Sequence, residues 1–267
     1  MQPENIPAGA LTHINLGFVQ FRDDWKMVDE YGDIVTRVSR LKTSYPGLRV
    51  NVAIGGWNFN DPPLTYCFST MKYDLDDIEL DWEYHSTEDR GGSLDDTDTF
   101  VVLLSELRGA FDATNSGWEI TCTLPASYWY IQNFDLKSME EYISLFNFMS
   151  YDLHGMWDRD NKNIGPYLRG HINLTEIDEG FNLLWRNIID PKKGVMGMDF
   201  YGWSFTTSNK DCRTTECTFS TVGDAGPCSQ TAGIPSGDVQ TYYDPVSTVK
   251  YDVYNGNQWI SYDDAQS

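Results

Sequence analysis

Hydrophobic positions follow two alternating rhythms along most of the chain. Short apolar runs of strand length, at 11–18, 48–55, 77–83, 119–124, 146–151 and 194–200, are separated by stretches whose apolar residues recur every three or four positions. Ile34, Val38, Leu41 and Tyr45 form one such stripe, and Phe100, Leu103, Leu104, Leu107 and Phe111 a second. Ile177, Phe181, Leu184 and Ile188 form a third. Each places one apolar face of a helix against a sheet. Residues 135–145 read as a weaker fourth helix. Asp96 or Thr97 can cap the second helix and Thr175 the third, while Pro46-Gly47 ends the first. Strands alternating with helices predict a parallel sheet with crossover helices, as in an α/β barrel.

After Ser204 the texture changes to short polar segments with Gly, Thr, Ser and Cys, then a Tyr-rich stretch at 242–262 that alternates like antiparallel strands. We therefore expect a barrel domain over 1–203 and a small Cys- and Tyr-rich, β-rich (or α+β) insertion subdomain over 204–267. A length of 267 residues suits one barrel with such an addition. The balance of 19 basic against 40 acidic side chains, a net charge of −21, disfavours nucleic acid and anionic membranes as partners. The longest apolar runs, such as 50–57, fall far short of the roughly 20 residues needed to cross a bilayer. No apolar leader follows Met1. Of the cysteines Cys67, Cys122, Cys212, Cys217 and Cys228, the last three crowd into a loop-like stretch. That crowding suits a disulfide in an oxidising compartment, with a zinc site as the rival, and Asn173-Leu174-Thr175 forms a glycosylation sequon.

The chemistry concentrates in Asp76-Asp77-Ile78-Glu79-Leu80-Asp81-Trp82-Glu83-Tyr84. On a strand, Glu79, Asp81 and Glu83 share one face and Ile78, Leu80 and Trp82 the other. With the apolar face on the helices, three carboxylates line the barrel interior and lead to its C-terminal mouth, where barrel enzymes keep their active sites. Same-face neighbours stand about 6.5–7 Å apart, so mutual repulsion favours a retained proton. A protonated carboxyl near the mouth is a general acid for glycosidic cleavage, and Glu83 is placed for it. A solvated acidic strand face is the alternative. An EF-hand is not, because counting from Asp74 puts Glu79 where Gly is needed and His85 where Glu is needed.

These residues resemble the DxxDxDxE pattern of family 18 glycoside hydrolases, specifically the fungal-type chitinases, with Asp76, Glu79, Asp81 and Glu83 in register and Glu in place of the second Asp. Further motifs match in order. Ala53-Ile54-Gly55-Gly56-Trp57 is similar to the family's SxGG stretch, and Leu11-Thr12-His13-Ile14-Asn15 to its second strand. Pro125-Ala126-Ser127-Tyr128-Trp129-Tyr130 resembles the segment after the fifth strand. Met149-Ser150-Tyr151-Asp152-Leu153-His154-Gly155, with Trp157, resembles the segment after the sixth. Phe200-Tyr201-Gly202-Trp203-Ser204-Phe205 resembles FYGRSF, with Trp203 where Arg is expected.

The resemblance implies a TIM-type (β/α)8 barrel that hydrolyses β-1,4 links between N-acetylglucosamine units of chitin. It implies retention of configuration, with the substrate's own acetamido group as nucleophile. Glu83 would be the acid, Asp81 the acetamido stabiliser, Glu79 its support and Tyr151 a donor to the acetamido oxygen. Trp57, Tyr84, Trp129, Met149, Asp152, Trp157 and Tyr201 would contact sugar. Trp82 has packing parity, and His13 and His154 are expected to be structural. The implied partner is chitin or its oligosaccharides, the implied state a secreted monomer, and no metal or cofactor is required.

Against the family pattern the chain begins near the second strand, stops before the last, and compresses 58–77 to a short crossover with a helix starting at Pro62-Pro63. We therefore expect an incomplete barrel with two open parallel edges, low stability and a tendency to aggregate. A chitin-binding lectin without turnover, and an inactive fragment, are the alternatives to an enzyme.

Overall fold

The computed structural model describes residues 2–21, 27–28, 34–60, 77–114, 117–224 and 239–264. Asp76, Cys67, Cys228 and the crossover helix expected from Pro62 lie outside the described residues. The chain forms two compact units, Met1–Phe148 with Trp185–Val195, and Met149–Leu184 with Met196–Ser267. This division differs from a single cut at 203/204.

The first unit is built on a seven-stranded sheet. Its strands are β1 (His13–Phe21), β2 (Met27–Val28), β3 (Arg49–Gly55), β4 (Ile78–Asp81), β5 (Ile120–Pro125), β6 (Leu145–Met149) and β7 (Gly194–Met196). The sheet order is β2-β1-β3-β4-β5-β6-β7, with β2 antiparallel to β1. The other six strands form a curled, parallel half-barrel in chain order. The register pairs Ala53 with Glu79 and Gly55 with Asp81 on one side of β4, and Glu79 with Thr121 on the other. Ile54, Leu80 and Cys122 bury their opposite parity completely, as a parallel strand covered on both faces requires.

Helices α1 (Ile34–Ser44) and α2 (Asp96–Thr114) bury Val38 and Phe100, Leu104 and Phe111, respectively. Asp96 reaches back to accept from the Ser93 N–H at 2.6 Å, which fixes the start of α2. In place of the helix expected over 135–145 there is a single turn, α4 (Leu136–Met139), preceded by α3 (Tyr128–Ile131). Asp135 caps α4 through the Ser138 N–H at 3.2 Å. The Ser144 N–H already donates to Ile120 at 2.8 Å as the chain enters β6, which leaves no length for further turns. The freed carbonyls of Glu140 and Ile143 accept from Lys193 Nζ instead, the latter at 2.7 Å.

The third expected helix is α5 (Leu174–Arg186). Its cap is Asn173 and not Thr175: Asn173 Oδ1 accepts from the Thr175 N–H at 3.0 Å and from the Glu176 N–H at 3.4 Å. Ile188 lies beyond the helix, 79% exposed with φ 58°, and so leaves the apolar stripe. β7 ends at Met196 instead of continuing to residue 200.

The second unit carries a five-stranded antiparallel sheet in the order β10-β11-β12-β8-β9. The strands are β8 (Trp203–Thr207), β9 (Phe219–Val222), β10 (Gln240–Asp244), β11 (Val249–Tyr254) and β12 (Gln258–Tyr262). Its core joins Leu168, Phe205, Cys217, Phe219, Tyr251, Val253 and Trp259. Cys212 and Cys217 form a disulfide with an S–S length of 2.06 Å. That bond removes both thiols from the zinc alternative. Cys122 is a free, buried thiol. No helix among the described residues is long and apolar enough to cross a membrane.

Candidate active site

In the first unit the acids of β4 form a descending series. Glu79 is 2% exposed, Asp81 3% and Glu83 9%. The strand ends at Asp81, and Glu83 occupies the turn that follows, so the third acid continues the series past the strand rather than on it. Glu79 is held by four hydrogen bonds from three side chains. Asn147 Nδ2 donates to both its oxygens at 2.8 Å, Asn15 Nδ2 donates at 3.0 Å, and the Thr121 hydroxyl donates as well. The Thr123 hydroxyl donates to Asp81. A polar layer of Asn15, Glu79, Thr121 and Asn147 thus crosses β1, β4, β5 and β6.

Burial dominates the electrostatics. It pushes Glu79 up to about 7 against the hydrogen bonds of Asn147, Thr121 and Asn15, with the Asp81 charge adding a smaller upward contribution. It likewise pushes Asp81 up to about 6, opposed by Thr123. Like-charge repulsion, the cause expected from the sequence, ranks behind desolvation here.

Tyr84 corrects an expectation. It is 7% exposed and stacks on Tyr130 with centroids 4.1 Å apart, so it offers no open face to a sugar. Its hydroxyl donates to Glu83, and burial followed by the Glu83 and Asp81 charges pushes its pKa well up. Tyr84 thus contacts the Glu83 carboxyl. Trp57, just after β3, is 49% exposed, and Trp129, in α3, is 64% exposed. Trp129 lines a cleft of about 650 Å³ together with Ser86, Thr87, Glu88, Asp89, Gln132 and Asn133. Trp82 packs on His85 and Phe100, each with centroids 5.4 Å away, as its parity indicated. His13 bonds Glu119 at 3.0 Å.

In the second unit Tyr151 follows Met149, the partly buried last residue of β6, and meets Tyr201 edge-on with centroids 6.3 Å apart. Asp152, at φ 55°, accepts from Trp203 Nε1 at 2.6 Å and lies 3.5 Å from His171. Burial would raise the Asp152 pKa, but hydrogen bonds with His171, Trp203 and Tyr201 hold it below the usual range. Trp203 thus supplies a neutral donor to Asp152 at the position where the family pattern has Arg. Trp157 and Tyr201 are 51% and 45% exposed. Trp157 stands perpendicular to Trp203 at 5.4 Å. A β carbon at Gly155 would come within 2.3 Å of the Trp157 ring, so only glycine leaves that ring its place. His154 is structural, bonding Asp158 at 2.7 Å and Glu176 at 3.0 Å.

Sequence reasoning missed Asn15, Thr121, Thr123 and Asn147. Their signal is polarity at the interior parity of otherwise apolar strands. The model of the glycosyl hydrolases family 18 matches residues 1–267. The chain belongs to that family. An endochitinase of Manduca sexta is 28% identical over 99% of the chain and 55% of its own length. "Secreted chitinase LysM12" of Penicillium expansum is 27% identical over 94% of the chain and 20% of its own length. The chain thus spans about half or less of these relatives. Among solved structures, the Group IV chitinase of Ostrinia furnacalis in complex with allosamidin aligns with TM-score 0.81 at 22% identity, covering 100% of this chain and 81% of that one. Human YKL-39, a pseudo-chitinase with retained chitooligosaccharide binding, aligns equally well at 22% identity and the same coverages. The half-barrel is accordingly an incomplete TIM-type barrel.

Proposed function

We propose that this family 18 chain hydrolyses chitin with retention of configuration, using the substrate's acetamido group as nucleophile. The observation that carries the reading is the buried series Glu79, Asp81 and Glu83, the last followed by Tyr84, whose ring centroid lies 6.4 Å from that of the exposed Trp57. Glu83 gives its proton to the glycosidic oxygen as the bond from C1 to that oxygen breaks. The acetamido carbonyl oxygen bonds to C1, and the resulting oxazolinium charge is met by Asp81, which Thr123 orients and Glu79 supports from below. Water then attacks C1 as its bond to the acetamido oxygen breaks, which restores the acetamido group, and gives a proton to the Glu83 carboxylate. By the family pattern, Tyr151 serves the acetamido oxygen. Met149 and Asp152 shape the sugar pocket, and Trp57, Trp129, Trp157 and Tyr201 stack on pyranose rings. The enzyme acts as a monomer on chitin or its oligosaccharides outside the cell. The disulfide and the secreted Penicillium relative support that location.

The test is product release from chitohexaose. Glu83→Gln should lower the rate by about 100-fold or more while leaving binding intact, and equal rates in both proteins remove Glu83 from the role. A second reading, binding without turnover, is favoured by Trp203, whose neutral indole stands at the expected Arg. Wild-type protein that binds chitohexaose and releases nothing would select it.

A further inference from the structure

The loop after β4 closes on itself around a buried arginine. The Arg90 N–H donates to the Thr87 carbonyl at 3.0 Å, the chain turns at Gly91 with φ 72°, and the Gly92 N–H returns to Thr87 at 2.9 Å. A β carbon at Gly92 would sit 2.5 Å from the Thr87 nitrogen and 2.6 Å from that of Ser86, so the fold-back requires glycine there. It turns the Arg90 side chain inward, where the residue is 9% exposed. Nε donates to the Glu83 carbonyl at 3.1 Å and Nη2 to the Trp57 carbonyl. The guanidinium carbon lies 3.7 Å from the centroid of the Trp57 ring.

One planar cation therefore covers one face of the indole and forks to two carbonyls, one after β3 and one after β4. These are neighbouring strands, with Gly55 opposite Asp81. Trp57 stays 49% exposed, so its ring keeps surface for a sugar. Lysine cannot replace this geometry, because an ammonium neither lies flat on a ring nor holds a rigid two-pronged fork.

We infer that Arg90 is a positioning residue that fixes the Trp57 sugar platform relative to the Glu83 acid, acting through those two residues and not on substrate. The inference rests on the chitinase reading above. It predicts that Arg90 and Trp57 are coupled in binding, while Arg90 alone also affects turnover through Glu83.

The test uses the full chain with Arg90→Met, Arg90→Lys, Trp57→Ala and the Arg90→Met/Trp57→Ala double variant. It measures Kd for chitohexaose, and kcat and KM for its cleavage. Arg90→Met should weaken binding about tenfold and lower kcat about tenfold. In the Trp57→Ala background the same change should alter Kd less than twofold, while kcat still falls. Arg90→Lys should not restore either value. Should Arg90→Met fail to show a cooperative melt, Arg90→Lys and its Trp57→Ala double carry the same cycle.

Equal losses of affinity in both backgrounds, or wild-type kinetics in Arg90→Lys, overturn the inference. Wild-type protein that binds but does not cut removes the chitinase reading, and the Kd cycle still decides the coupling of Arg90 to Trp57. A protein that cuts normally while the cycle is additive leaves the chitinase reading standing and removes Arg90 from it.

Discussion

At the scale of single residues, Glu79 shows which force prevails when a carboxyl is surrounded by donors yet kept from water. Asn147, Asn15 and Thr121 all favour its ionised form, and burial still holds its pKa near about 7 against an ordinary 4.5. Between those values the folded protein keeps a proton that the unfolded chain has released, so stability falls as pH rises through this window. Each pKa unit corresponds to about 1.4 kcal/mol. Glu79→Gln, which cannot ionise, should therefore gain on the wild type between pH 5 and pH 8 in denaturant midpoint. A gap between the two that stays constant across that range would contradict the assignment. Gly155→Ala should displace the half-exposed Trp157 ring, whose far edge the added methyl meets, at a stability cost within about 0.5 kcal/mol; a near-unchanged thermal melt with altered tryptophan fluorescence reports it. The β4 acids were legible in the sequence because alternation on a strand is local information. Asn15, Thr121 and Asn147 were not, because which residue faces Glu79 depends on the register between strands far apart in the chain. Arg90 was hidden for a similar reason: its contacts arise only when a loop folds back through Gly91 and Gly92.

At the scale of elements, the strands and the three long helices follow their apolar rhythm closely, whereas 135–145 does not. There the distance left to β6 overrides helix propensity, and Lys193 satisfies the carbonyls that a longer helix would have bonded. Another polar clamp joins the 3-10 turn Met156–Asp160 to α5. Burial disfavours a charged His154, but hydrogen bonds to Asp158 and Glu176 override it and raise its pKa to about 9. The stabilisation is complete below the ordinary histidine value of 6.5 and is lost as pH rises through about 9. His154→Gln should cost about 3 kcal/mol at neutral pH, because it leaves Asp158 buried without its cation. Denaturation at pH 7 and pH 10 checks this, with the difference between variant and wild type shrinking at the higher pH. A difference that widens at pH 10 would exclude the charged pair.

At the scale of the whole molecule, strong like charge opposes association while exposed apolar surface favours it. Val195, Met196, Met198 and Phe200 are 38%, 46%, 66% and 100% exposed, at and just beyond β7, an end strand of the parallel sheet. The net charge of −21 keeps copies apart at low salt, and screening shortens that repulsion to about 3 Å at 1 M. Light scattering should therefore rise steeply with added salt, and Phe200→Ser combined with Met198→Ser should suppress the rise. Scattering that is insensitive to both changes would place the adhesive surface elsewhere.

The cap of α5 carries a consequence for how the protein is made. Asn173 is the acceptor of a sequon, yet its Nδ2 already donates to Glu176 at 2.8 Å, and Glu176 in turn bonds His154. A glycan on that nitrogen would remove one of its two N–H groups and place bulk where the carboxylate sits. Occupancy at this site in a eukaryotic host would thus act as a clock, recording whether the sugar reached the amide before the helix did.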